Sequence, residues 1–204
     1  MEHSPRASFT LFLYSMLKVL GPILPIQKED IIESIKALKE IKSEINSENI
    51  TESNPALNLA YWIENIPIMY YPWGLQAAAI RFKNSMQENA KTHVIIEDIV
   101  ETSHNGITPW SNNSSVTKPI LLQGTEDFIK TKERWHIFKE FFNKQEIEFK
   151  EIMSINGSII TKLIHLIYVL DYSSIYRAVI LGVDPTPVDA IDFIKNQMNE
   201  LSKK

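Results

Sequence analysis

Apolar positions change their spacing partway along this chain, and the change divides it. From about Ala7 to Leu20 they recur as on a helix, and Gly21-Pro22 supplies a stop. Pro25 leads into a charged stretch from Lys28 to Asn46, where Ile31, Ile35, Leu38 and Ile45 fall at helical spacing. Ser47 to Asn54 is polar and reads as a loop, and Pro55 opens a short amphipathic helix to Glu64. Beyond that point short apolar runs take over. Residues 66–71 read as a buried strand, with Pro67 near its start, where the missing donor matters least. Leu75 to Ala90 is a helix with Leu75, Ala79, Phe82 and Met86 as its core stripe. Strands are predicted at 92–96, at 119–123 and within 146–153. Helices are predicted from a Thr125 cap to about Asn143, from Gly157 to Ile180 and from Val188 to Ser202. An Asn/Ser/Pro/Gly-rich loop spans about 103–115.

Short apolar strands alternating with helices imply a parallel sheet covered on both faces, a three-layer α/β/α domain. Residues 55–204 are expected to form it, with residues 1–54 as an N-terminal helical arm.

Composition narrows the chemistry. The 204 residues carry 21 Lys+Arg against 25 Asp+Glu, a formal net charge of -4, with no basic block. That balance points away from nucleic acid and from a membrane surface. Cysteine is absent, which removes disulfides and thiolate chemistry and fits a reducing cytoplasm. The apolar run from Ser8 to Leu17 resembles a signal segment only superficially: Glu2 precedes Arg6 and no small-x-small cleavage site follows. Six glycines form neither a GxGxxG nor a Walker loop, and no metal-ligand spacing or Gly-x-Ser-x-Gly elbow occurs. His93, His136 and His165 are dispersed and read as structural or surface residues. The expectation is chemistry with no cofactor and no metal.

The most specific segment is Gly182-Val-Asp-Pro-Thr-Pro-Val188, ahead of Asp189-Ala-Ile-Asp-Phe-Ile-Lys195. Locally it reads as a helix start, with Pro187 in the first turn and Asp184 or Thr186 as cap. The string also resembles the C-terminal signature of the archaeal-type bifunctional phosphoglucose/phosphomannose isomerases, two-domain enzymes built from sugar isomerase (SIS) domains. Four further segments resemble the same family in the same order: Pro5-Arg6-Ala7, the Arg81 to Lys91 stretch with Glu88-Asn-Ala-Lys91 at a helix end, His104-Asn105 in a loop, and Leu163 to Tyr172. The resemblance covers nearly the whole chain and implies the C-terminal SIS portion of such an enzyme. No Ser/Thr-rich phosphate loop of the family's first domain is matched, and Gly106 stands where the family commonly has an acid.

What the resemblance implies is an aldose–ketose isomerase of hexose 6-phosphates working through an enediol, in a homodimer. Carried over by position, Glu88 is the proton-transfer base and Arg6 the cation for the enediolate. His104 and Lys195 serve ring opening, and Thr186 lies beside the substrate. His104 is expected to reach the neighbouring subunit's site. These residue types suit the chemistry, which needs a carboxylate base and a cation for a developing oxyanion. Each also has a plainer reading: Glu88 as a solvated helical carboxylate, His104 as a surface histidine, Arg6 as part of a loose terminus, and Lys195 as a helix-end lysine suited to the macrodipole. Tyr70, Tyr71 and Trp73 suit either a sugar-stacking wall or the core. Two other functions stay open: a non-catalytic SIS module that binds sugar phosphates or mediates assembly, and a single-domain isomerase of another sugar phosphate completed by oligomerisation.

Overall fold

The computed structural model describes residues 6–112 and 116–202. Four strands, β1 (Ile66–Tyr71), β2 (Ile95–Asp98), β3 (Thr117–Gln123) and β4 (Lys150–Met153), form one all-parallel sheet in the order β2-β1-β3-β4. β1 spans the expected residues. Its ladder with β2 begins at Ile68, so at Pro67 the strand is paired only to β3 and the lost donor faces an open side.

Alternation along β1 and β3 separates two cores. Met69, Tyr71, Ile120 and Leu122 face α3 (Pro55–Trp62), α4 (Gln76–Asn89) and α7 (Ile159–Ile180), packing against Leu59, Phe82, Met86, Leu166 and Leu170. Tyr70 and Leu121 face the other way, toward α5 (Ile99–Thr102) and α6 (Ile129–Lys144), and join Trp110, Trp135, Phe138 and Phe142. The three-layer α/β/α architecture is therefore present. Its N-terminal helices are α1 (Phe9–Leu20) and α2 (Lys28–Ile45), and α2 packs on α7 and α3 through Ile41 and Ile45. α7 is long and apolar enough to cross a membrane, but half of that span is buried inside the fold, as suits a central helix.

Several boundaries differ from expectation, each for a local reason. The buried face of α2 runs Ser34, Ala37, Ile41, Ile45, one step off the predicted stripe, and Ile35 is exposed. β2 starts at Ile95 rather than 92, because Thr92 N–H still bonds back to the Met86 carbonyl of α4. β4 starts at Lys150, because Glu146 takes a left-handed φ of 55° and Ile147 N–H bonds back to Phe142. Thr125 does not cap α6: Phe128 holds the N-cap position, and Asp127 accepts bonds from Gly124 N–H and the Trp135 indole. α5 precedes the polar loop, which contains a short 3₁₀ turn at Thr108–Asn112.

α8 (Asp189–Leu201) closes the chain with no buried residue. Its N-cap is Val188, without a side-chain cap bond, and Pro187 lies outside the helix. Asp184 instead accepts from Thr186 N–H, closing a local turn, and that bond is the main reason its carboxyl lies below the ordinary range.

Candidate active site

Parallel topology sorts the expected site residues between the two ends of the sheet. α4 and α7 both run back from the C-terminal ends of the strands. Their last turns therefore meet at the N-terminal end of the sheet, and Glu88 lies there. α7 is stopped by Gly182 at φ 66°, with Val183 N–H bonding to Ala178 and Gly182 N–H to Val179, a Schellman turn that glycine adopts without penalty. That turn directs residues 183–187 across the end of α4.

Arg6 sits at the junction. Its Nε pairs with Glu88 Oε2 at 3.1 Å, and its side chain is 18% exposed against 35% for Glu88. Nη1 donates to Asn89 Oδ1 (2.8 Å), the Pro185 carbonyl (2.7 Å) and, at 3.3 Å, the Glu88 carbonyl; Nη2 donates to the Thr186 carbonyl at 2.9 Å. Thr186 thus reaches the site through its backbone oxygen, while its side chain is exposed. Arg6 is held rather than loose, which fits its planar fork of donors.

Two bridges between α4 and α7 fix that arrangement. Arg81 binds Asp171 bidentately (Nε to Oδ1 2.9 Å, Nη2 to Oδ2 2.8 Å), donates from Nη2 to the Arg6 carbonyl at 2.9 Å, and lies over the Phe9 ring at 4.8 Å. Ser85 also donates to Asp171. One turn on, Asn89 donates to Ser174 Oγ at 2.8 Å while accepting from Arg6. The resembling segments contain Arg81, Asn89 and Asp171, but sequence reasoning gives them no role. Their spacing is the available signal: Arg81, Ser85 and Asn89 lie four apart on one face of α4.

Lys91 completes this end. It occupies φ 54°, unusual for a residue with a Cβ. Its Nζ donates to the Glu88 carbonyl (2.6 Å) and to the Pro187 carbonyl (2.7 Å). Three consecutive carbonyls of the Pro-Thr-Pro segment are therefore held by two cations. Between α4 and the start of α8 lies an open cleft of about 480 Å³, lined by Asn84, Gln87, Glu88, Lys91, Pro187 and Asp189 among others. Among the described residues, Glu88 Oε1 accepts no hydrogen bond.

The other expected residues are elsewhere. Lys195 is exposed on α8 and makes no hydrogen bond or ion pair among the described residues. It lies six residues beyond Asp189, about 9 Å further along the helix axis. His104 follows β2 and is exposed at the C-terminal end of the sheet, its N–H bonded to the Glu101 carbonyl at 3.0 Å. The fourteen residues of α4 alone span about 20 Å between those ends, so one copy does not bring His104 to Glu88. Beside His104, a Cβ added to Gly106 would lie 2.2 Å from Glu97 Oε2. A carboxylate from β2 thus occupies the space where the family pattern has an acid in the loop. Trp110 anchors the same loop, its indole donating to the buried Tyr70 hydroxyl at 2.6 Å. Tyr70 and Tyr71 are core residues, and Trp73 is 80% exposed. Burial keeps the His165 pKa below the ordinary histidine value, and its Nδ1 has no partner among the described residues. His93 and His136 are exposed.

Residues 52–198 match the family described as bacterial phospho-glucose isomerase C-terminal SIS domain. The chain is similar to the bifunctional phosphoglucose/phosphomannose isomerases of Caldicellulosiruptor bescii (31% identity, covering 97% of this chain and 60% of that protein) and Aquifex aeolicus (25%, covering 96% and 59%). It therefore spans about three-fifths of the length of these curated relatives. Among solved structures, it shares its fold with a glucose-6-phosphate isomerase like protein of Thermus thermophilus (TM-score 0.68, 18% identity, 91% of this chain and 60% of that one). A glucosamine-6-phosphate deaminase of Thermotoga maritima also shares it (TM-score 0.56, 13% identity, 87% and 53%). A family match across residues 52–198, on an all-parallel α/β/α sheet, settles the lineage: the chain belongs to the phospho-glucose isomerase C-terminal SIS domain family.

Proposed function

We propose that this chain carries the proton-transfer half of a hexose 6-phosphate aldose–ketose isomerase that works through an enediol. The observation that supports it most is the Arg6–Glu88 pair, which sets a guanidinium against a carboxylate that lines a cleft. In the proposed reaction the Glu88 carboxylate takes the proton from C2 of the open-chain aldose. The electron pair enters the C1–C2 bond, and O1 accumulates charge and is protonated to give the enediol. Glu88 then returns its proton to C1 while O2 loses its proton and becomes the ketose carbonyl. C1 is reduced and C2 oxidised, so the step needs no external redox partner. The enediol has no stereocentre at C2, so the glucose and mannose 6-phosphates converge on the same intermediate and the same fructose 6-phosphate. Arg6 would supply positive charge beside the developing oxyanion.

His104, at the far end of the sheet, enters this scheme from a second copy, which makes a homodimer part of the proposal. The topology supports that assignment, because Glu88 and His104 cannot meet within one copy.

The test is conversion of glucose 6-phosphate and of mannose 6-phosphate to fructose 6-phosphate. It uses the chain alone and the chain joined behind the unmatched N-terminal part of the Caldicellulosiruptor relative. Glu88→Gln keeps the shape and removes the base, and turnover should fall by about two to four orders of magnitude. Full turnover in Glu88→Gln would remove Glu88 from the site. Absence of turnover in both forms, with sugar phosphate still bound, would favour the non-catalytic module.

A further inference from the structure

The ammonium built into the Glu88 cleft is that of Lys91, not that of Lys195. Lys91 follows the end of α4 in a left-handed conformation that a lysine adopts at a cost and a glycine adopts freely. Such a residue persists where its side chain does something glycine could not. Here the side chain turns back so that Nζ joins the Glu88 carbonyl, on the last turn of α4, to the Pro187 carbonyl, at the entrance to α8. No other side chain among the described residues bonds to the Pro187 carbonyl. α8 buries no residue of its own, so its first turn depends on such ties to stay beside Glu88. Two of the three ammonium donors are used in this way, and Lys91 lines the cleft alongside Glu88 and Asp189.

We infer that Lys91 is a positioning residue: it holds the Glu88 end of α4 and the first turn of α8 at a fixed separation, which sets the width of the cleft and the aim of the Glu88 carboxylate. Its catalytic consequence rests on the isomerase reading above, whereas the tie itself does not. The charged groups facing its ammonium are Asp184 on the preceding turn, Glu88 and Asp189.

Lys91→Gly separates positioning from folding. Glycine relieves the left-handed backbone, so the melting temperature should hold or rise. The tie is lost, so amides 191 and 192, which bond to the Val188 carbonyl, should exchange with deuterium several-fold faster than in the wild type, while those of β1 and β3 stay unchanged. Lys91→Arg should keep slow exchange. In the isomerase assay Lys91→Gly should lower kcat by about ten- to a hundredfold with little change in KM, the penalty of a misplaced base, and Lys91→Arg should recover most of it. Wild-type exchange at amides 191 and 192 in Lys91→Gly would overturn the inference, as would wild-type kcat in an active protein. If no form of the chain turns over, the isomerase reading fails by itself and the exchange comparison still decides whether the tie exists.

Discussion

The two ends of the sheet are built differently. At the N-terminal end Arg6, Arg81 and Lys91 converge on Glu88, Asn89, Asp171 and the carbonyls of residues 185–187, and nearly every contact joins parts of the chain far apart in sequence. At the C-terminal end His104 and Gly106 ride on a short-range turn whose bonds run to Glu101 and Thr102, anchored to the core through Trp110. The first end is held together by the chain's own charges and carbonyls. The second presents an exposed histidine on a tethered loop, a suitable arrangement for a group that meets its site across an interface. The sheet keeps the charge network and the histidine apart.

The largest expected disruption is at the wired end. Asp171→Ala strips a partly buried guanidinium of its acid and removes the Ser85 bond, so it should cost about 3 kcal/mol, the lower end for breaking one partner of a buried pair. In a chain of this size that lowers the melting temperature by roughly 10 °C. Urea titration checks it. A loss below about 0.5 kcal/mol would mean that the Arg81–Asp171 pair does not organise this end.

A smaller and local effect is expected at the other end. Tyr70→Phe leaves the Trp110 indole N–H buried without its acceptor, at about 1–3 kcal/mol. Amide exchange should quicken over residues 99–110 and stay as in the wild type around residue 6 and at 183–192. Equal acceleration at both ends would break the comparison.

The smallest effect is one of pH. Glu33 accepts from Ser158 N–H at 2.9 Å and Thr161 Oγ1 at 2.8 Å at the start of α7, and these bonds hold its carboxyl below the ordinary glutamate range. A carboxyl with a lowered folded pKa adds stability that is present above its unfolded value, about 4.3, and lost as the pH falls through the lower folded value. Glu33→Gln should flatten the acid limb of stability below about pH 4.5 by removing the small contribution that the carboxylate makes at neutral pH. A wild-type acid limb in Glu33→Gln would assign the loss to other carboxylates.

Much of this is legible in the sequence, for reasons that also mark the limits. β1 and the core stripe of α4 are clear because burial there follows a simple period. The ends of β2, β4 and α6 are not, because helix-terminating turns at Thr92 and Glu146 and the Asp127 side chain set them. Glu88 and Arg6 are picked out by resemblance, and the fold brings them together. Lys195 is picked out the same way, and the fold leaves it on an exposed helix face. Lys91 escapes notice because its role depends on a backbone angle and on the Pro187 carbonyl, and neither is visible in residue types. His104 can be found from sequence, but its distance from Glu88 follows from α4 running back along a parallel sheet.

The measurement closest to the central claim, that the two ends meet only between copies, is complementation between two inactive variants. Glu88→Gln and His104→Gln proteins are purified separately, unfolded, mixed in equal amounts and refolded, and isomerase turnover is read against each parent. If each site takes Glu88 from one copy and His104 from the other, a mixed dimer holds one doubly altered site and one intact site. Half of randomly formed dimers are mixed, so the mixture should recover about a quarter of wild-type activity. Turnover no higher than the average of the two parents would place both residues in a site within one copy and contradict the account.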